Sequence, residues 1–201
     1  NRPEKTVTVK DLQTGEIYDE PYDKLVMAPG ANAVVPKSIR GADQPHVFAV
    51  RNVTDIRRLK DYVEQVQARN IVVAGGGFVG LEIAENFCRA GKHVTLVEGS
   101  SQVMAPFDFD MAQILHKELL DQGMDVYLSS MVTEITPSSV IAQQGGKTME
   151  IPADAVLLSI GVRQETTLAQ KAGLEIGASN GIKVNHNYQT NDPDIYAVGD
   201  A

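Results

Sequence analysis

The stretch from Asn70 to Glu98 constrains the chain most. Ile71-Val72-Val73-Ala74 is an apolar run long enough for one buried strand. Gly75, Gly77 and Gly80 follow on a G-x-G-x-x-G spacing, and a helical pattern starts at once with Leu81, Ala84, Phe87 and Cys88 on one face. Gly91 ends that helix, and Val94 to Val97 form a second buried strand closed by Glu98. A strand, a helix and a strand in about 30 residues make a complete β-α-β unit.

The residue types in this unit suit one chemistry. Gly75 allows a tight turn off the strand, Gly77 lets a pyrophosphate approach the backbone, and Gly80 lets the helix pack closely on the sheet. The helix start offers unpaired N–H groups and the positive end of a dipole, which suit an anionic phosphate. Gly76, Phe78 and Val79 complete the loop and belong to the same candidate surface. Glu98 lies 18 residues past Gly80, where an acid accepts hydrogen bonds from a ribose 2′-hydroxyl and repels a 2′-phosphate. NADH is therefore expected in preference to NADPH. A merely tight strand–helix turn is the alternative, and the glycine spacing alone does not exclude it. The strand, helix, second strand and terminal acid, all in place, favour a dinucleotide.

Charge and composition exclude other classes. A net charge of −8 argues against a nucleic-acid partner, which would want a basic surface. No apolar run approaches the roughly 20 residues of a membrane span. A 43% hydrophobic and 22% charged composition is ordinary for a globular protein. A single cysteine cannot form an internal disulfide, and no secretory pattern opens the chain, so a cytoplasmic location is expected. His46, His93, His116 and His186 have no metal-ligand spacing, so packing or surface roles are expected and no metal site.

Along the chain, Thr6 to Val9 and Glu16 to Tyr18 read as a hairpin about the turn Asp11 to Gly15. Leu25 to Ala28 reads as a buried strand running into Pro29-Gly30, either a simple turn or a close backbone approach. Asn32 to Pro45 carries prolines and little periodicity and reads as an inter-domain connection. A helix to about Gln67, capped by Asn52 or Thr54, turns Ile56, Leu59, Val63 and Val66 inward. A second helix from Asp110 to Gln122 turns Met111, Ile114, Leu115 and Leu119 inward. Met124 to Leu128 is a strand. Val132 to Ile135, Ser139 to Ala142 and Thr148 to Ile151 make a small antiparallel meander, and Ala155 to Ile160 is a buried strand ending at Gly161. Strands follow at Gly181 to Asn185 and Ile195 to Val198. The coherent unit, residues 47–163, is flanked by pieces (1–46 and 164–201) that supply a second sheet, as when one domain is inserted into another. The chain starts inside a strand pattern and stops directly after one, so it is expected to be a piece of a longer protein.

Three stretches in this order resemble one family. Tyr22-Asp23-Lys24-Leu25-Val26-Met27-Ala28-Pro29-Gly30-Ala31 is similar to the second FAD-associated motif of the pyridine nucleotide-disulfide oxidoreductases. Ile71 to Glu98 is similar to their NAD fingerprint, and Gln189 to Ala201, with Gly199-Asp200, to their FAD motif ending in Gly-Asp. Pro29 and the run Leu157 to Arg163 resemble the branch holding coenzyme A-disulfide reductases, NADH oxidases and NADH peroxidases. The fold implied is α/β: a Rossmann-like NAD(P)-binding domain with a small antiparallel meander, inserted between two pieces of an FAD-binding domain.

The resemblance also implies roles. Asp200 would hydrogen-bond the FAD ribityl chain, Gly199 would admit its pyrophosphate, and Pro29 and Gly30 would lie by the same dinucleotide. Gly161 would lie near the bound nicotinamide nucleotide. Glu82 would face the nicotinamide; equally, an acid in the first turn of a helix is stabilised by the dipole. Phe78 could cover the cofactor or pack against the sheet. The family's first FAD fingerprint, its redox-active cysteine and its C-terminal dimerisation domain have no counterpart here. Cys88 shares the inward helix face and is read as a small buried hydrophobe.

No catalytic residue is therefore assigned to this chain, which is expected to be inactive alone. The parent, a homodimer in this family, would pass hydride from NADH through FAD to a cysteine centre, with coenzyme A disulfide, oxygen or peroxide as acceptor. The alternative is a non-catalytic NAD(H)-binding module or sensor, which would have no need of Gly199-Asp200. A methyltransferase is a third reading, against which both outer motifs speak.

Overall fold

A computed structural model describes residues 1–201. The chain divides into two compact units, Asn1–Asn32 with Val162–Ala201, and Ala33–Gly161. The stretch Asn32 to Pro45 reads as a connection, but from Ala33 onward it lies within the second unit. Ile39 is buried in its core, Arg40 pairs with Glu134, and Gly41 packs so closely on the carbonyl of Ile135 that a Cβ there would stand 2.0 Å from its oxygen. Prolines in this segment shape a packed loop.

The inserted unit runs β5 (Val47–Ala49), α1 (Val53–Gln65), β6 (Asn70–Ala74), α2 (Phe78–Arg89), β7 (His93–Val97), α3 (Phe109–Asp121), β8 (Asp125–Tyr127), β9 (Ser130–Ile135), β10 (Ser139–Gln144), β11 (Lys147–Pro152) and β12 (Ala155–Leu158). β1 to β4 precede it and are placed below. The five parallel strands order as β5-β12-β6-β7-β8, and the meander as β11-β10-β9. Alternation along each parallel strand splits the core. Ile71, Val73, Val94, Leu96, Ala155 and Leu157 face the helices, meeting Leu59 and Val63 of α1, Ala84 of α2 and Leu119 of α3. Val72, Ala74, Val97, Val156 and Leu158 face the meander, meeting Ile135, Val140, Ala142 and Ile151. A sheet covered on both faces needs apolar residues at every position, which is why β6 and β12 read as unbroken apolar runs. Asp154 ties these two strands together at their starts. Its carboxylate accepts from Arg69 N and Asn70 N, both at 2.8 Å, and those bonds, that from Asn70 first, hold its carboxyl below the usual carboxylate range.

Asn52 caps α1 in a reciprocal box: its side chain accepts from Asp55 N, and the Asp55 side chain accepts from Asn52 N. Asn52→Ala should lower the stability of this unit by about 1 kcal/mol. A thermal melt, shifted down by a few degrees, checks it.

Two helix faces differ from the sequence reading. In α1, Leu59 and Val63 are buried as expected, while Ile56 and Val66 stand exposed near the helix ends, where the three-residue β5 gives no cover. In α3 the buried stripe is Ala112 and Leu119 with Leu115 half-buried, and Met111 and Ile114 are 52% and 63% exposed. The helix packs at the sheet edge on β8, so only a narrow stripe is covered, and small Ala112 sets its phase.

The outer unit holds β1 (Thr6–Lys10), β2 (Ile17–Pro21), β3 (Leu25–Met27), β4 (Ala31–Ala33), β13 (Val162–Gln164), α4 (Thr167–Lys171) and β14 (Ile195–Ala197). β1 and β2 form the expected hairpin, β13 pairs with β4, and β3 lies parallel to β14 with Leu25 opposite Ile195 and Met27 opposite Ala197. Met27, Ile195 and Ala197 pack with Ala169, Leu174 and Ile182. Only one face of this two-stranded sheet is covered, so Val26, expected inside, is 59% exposed. The strand expected at Gly181 to Asn185 is reduced to a single bridge between Ile176 and Ile182. Asn185 Oδ1 accepts from Asn187 N and Gln189 N, and this local turn takes the place of a ladder.

Candidate functional site

In the inserted unit the chain goes from β6 to β7 on one side and returns to β12 on the other side of β6. That reversal leaves a crevice at the carboxyl ends of β6 and β12, the place where open parallel sheets bind ligands. The glycine loop occupies it. Gly75 has φ +108°, and a Cβ on it would stand 2.2 Å from the Ser159 carbonyl at the end of β12. A Cβ on Gly80 would stand 2.0 Å from the Gly75 carbonyl. These two glycines let β6, α2 and the end of β12 close on one another. Gly77 is different. Its φ is −85°, it is exposed, and no atom lies within 4 Å of where its Cβ would be. The protein's own packing does not require a glycine there; an incoming group would.

Gly77 is also the N-cap of α2 and offers no side-chain cap. The first N–H groups of a 12-residue helix thus open on the crevice, with the dipole's positive end behind them. Phe78 and Val79 are 67% and 47% exposed. Phe78 does not pack on the sheet; its ring meets Phe107 edge-on, with centroids 6.4 Å apart.

Glu98 reaches the loop from the end of β7. Its Oε2 accepts from Gly76 N and its Oε1 from Ser100 N, both at 2.6 Å. A carboxylate oxygen has two lone pairs, so each can still accept a further bond. Glu98 therefore has a duty the sequence reading did not give it, bracing the glycine loop. Gly76 is buried beneath Val103, whose Cγ1 would lie 2.8 Å from a Cβ at that position. Gly76 is thus small because of Val103.

Gly161 lies two residues beyond Ser159, exposed, with φ +116° and open space where a Cβ would be. The carboxyl ends of β6, β7 and β12 therefore bring Gly75 to Gly80, Glu98 and Gly161 to one edge of the sheet. Glu82 is the fifth residue of α2, past the first turn, so the dipole account of it weakens; its side chain is exposed and forms no ion pair. Cys88 is half-buried against the helix-side core, and burial pushes its thiol up, away from a reactive thiolate. No cluster of three or more His, Cys, Asp or Glu side chains could hold a metal.

The outer unit brings its two motifs together by itself. β3 and β14 run parallel in register, so Pro29-Gly30 and Gly199-Asp200 leave the same ends of paired strands. Val198 N donates to Met27 O at 3.0 Å and fixes the offset. Gly30 and Gly199 both adopt positive φ, +71° and +78°. Gly199 and Asp200 line a cavity of about 530 Å³, with Gly177, Gly181, Lys183 and Ala31 among its walls.

Sequence reasoning missed Val103 and Ser159, which pack on Gly76 and Gly75 from 27 and 84 residues away along the chain, and Ser100, whose N–H holds the Glu98 carboxylate that braces the loop. The apolar run from Val103 to Phe107 between Gln102 and Asp108 was the one available signal, and Val103 and Met104 of it are buried.

Comparison with known proteins agrees with this arrangement. The family model described as pyridine nucleotide-disulphide oxidoreductase matches residues 1–201. An NADH oxidase of Enterococcus faecalis is 35% identical over 213 residues, covering 100% of this chain and 45% of its own length. A coenzyme A disulfide reductase of Staphylococcus haemolyticus is 30% identical over 200 residues, covering 100% of this chain and 44% of its own. Among solved structures, reduced CoADR-RHD of Bacillus anthracis superposes with a TM-score of 0.93 at 40% identity, covering 100% of this chain and 36% of that one. The chain thus spans less than half the length of these curated relatives. Matched from end to end by the family model, it belongs to the pyridine nucleotide-disulphide oxidoreductase family, and NADH oxidases and coenzyme A disulfide reductases are among the relatives it resembles.

Proposed function

We propose that the inserted unit, residues 33–161, binds NADH across its glycine loop, and that the outer unit contributes to an FAD site. The whole protein then passes hydride from NADH through FAD to a cysteine redox centre. Coenzyme A disulfide, oxygen or peroxide is the final acceptor. The observation that carries this reading is the uncapped start of α2 at an exposed Gly77 with open space above it, beside the Glu98 carboxylate. Pyrophosphate would lie over Gly77 and the first turn of α2, the adenine ribose hydroxyls would reach Glu98, and the nicotinamide end would run toward Gly161 and Glu82. Gly199 and Asp200 would hold FAD along the cavity of the outer unit, with Pro29 and Gly30 at the neighbouring strand end. FAD, when bound, supplies the two-electron chemistry; the residues here bind, orient and set charge.

These 201 residues bind NADH and do not complete the reaction by themselves. In support, their single cysteine is half-buried with its thiol pushed up by burial.

Glu98 is assigned the preference for NADH, because its carboxylate repels a 2′-phosphate. The native protein should bind NADH at least about tenfold more tightly than NADPH, a difference of about 1.4 kcal/mol. In Glu98→Ala both affinities fall, since the loop loses its brace, but the ratio should shrink to about threefold or less. Fluorescence titration with the two nucleotides gives that ratio, and equal affinities in the native protein would refute the assignment.

A further inference from the structure

The segment between β7 and α3 is latched to the glycine loop, and one end of the latch is an imidazole. Met104 N donates to Gly76 O at 2.8 Å. Met104 itself sits at φ +49°, a conformation a side-chain-bearing residue adopts only when its surroundings hold it there. Val103, fully buried, fills the space over Gly76, and its N–H donates to His116 Nε2 of α3 at 3.0 Å. On the other side of the ring, Nδ1 faces Gln113 Oε1 at 3.4 Å. A nitrogen that accepts a backbone N–H carries no proton, so this pattern requires the neutral ring with its hydrogen on Nδ1, donating to Gln113.

We infer that His116 is a positioning residue for the glycine loop: by accepting the Val103 N–H it holds Val103 and Met104 against Gly76, and so sets the dinucleotide site. The inference rests on the NADH reading given above. Protonation of Nε2 would set two N–H donors against each other and release the latch. The charged groups on α3, β8 and the end of β7 have partners of their own. Lys117 pairs with Asp121, Glu118 accepts from Gln122, Asp125 of β8 pairs with His93, and Glu98 is engaged by Gly76 and Ser100. Asp108 and Asp110 stand at the head of α3, where the Asp110 carboxylate accepts from Met111 N. NADH affinity should therefore fall as pH falls, because the binding-competent loop needs the unprotonated ring.

The test compares the native protein with His116→Gln, whose amide oxygen accepts the same N–H and gains no proton, and with His116→Phe, which has no acceptor. Calorimetric NADH titration is run as a series from about pH 8 down to about pH 5.5. Native affinity should drop about tenfold over that range, and that of His116→Gln less than about twofold. His116→Phe should bind about tenfold more weakly at the upper end and stay flat. Amide hydrogen exchange at Val103, with no nucleotide present, should show protection lost on acidification in the native protein and retained in His116→Gln. Parallel pH profiles for the native protein and His116→Gln, or Val103 exchange that does not distinguish them, would overturn the latch. Absent NADH binding in the native protein at every pH would overturn the dinucleotide reading, while the exchange comparison still decides the latch.

Discussion

Gly80→Ala should destabilise the inserted unit by about 3 kcal/mol, lowering its melting temperature by roughly 10 °C. The added methyl carbon would stand 2.0 Å from the Gly75 carbonyl oxygen and 3.4 Å from Ser159 Cβ. Neither neighbour can give way. Gly75 N donates to Val97 O at 2.9 Å, and the Gly75 Cα is itself pressed against the Ser159 carbonyl, which belongs to the end of β12. Relief would require α2 to lift off the sheet, opening the contact of Ala84 with the core. Gly91→Ala is the control. Gly91 has φ +72° but open space at the Cβ position, so that change brings backbone strain of about 1 kcal/mol and no clash. Circular dichroism melts of the two variants separate packing from strain. Equal, small shifts would mean that α2 does not sit on β6 as closely as described.

Gly77→Ala should do the reverse. No protein atom lies within 4 Å of the new methyl group and φ is −85°, so stability should change by less than about 1 kcal/mol. NADH affinity should fall about 100-fold, or about 2.7 kcal/mol, because the methyl group occupies the space a pyrophosphate needs over the helix start. Together the two variants divide a single motif: Gly80 serves the protein's own packing, and Gly77 serves what binds. A Gly77→Ala protein that melts and binds NADH like the native one would place the nucleotide elsewhere.

The motif was legible because its demands are local. Gly75 to Gly80 lie within one turn of each other and of a strand end, so their spacing alone specifies a tight turn, an uncapped helix start and a close packing point. Glu98 was legible as an acid at a strand tip, but its bonds to Gly76 and Ser100 were not, since nothing in the sequence says which backbone N–H a carboxylate will find. The same limit hid Val103, Ser159 and His116, which reach the loop across the fold. Helix existence was legible from periodicity and helix phase was not. In α3 the pattern Met111, Ile114, Leu115 and Leu119 competes with Ala112, Leu115 and Leu119, and the position of β8 at the sheet edge selects the second. The prolines of the segment 32–45 suggest a linker, whereas Ile39 and Gly41 have a packing partner in Ile135, about 95 residues later in the chain.

Thermal melting of the protein with NADH, NADPH and FAD in turn tests whether the glycine loop takes NADH. A ligand that binds only the folded state stabilises it by about 2.7 kcal/mol at one hundred times its dissociation constant. A clear upward shift is expected with NADH, a smaller one with NADPH and none with FAD for these 201 residues. Stabilisation by FAD alone, or by none of the three, would contradict the assignment of the glycine loop to NADH.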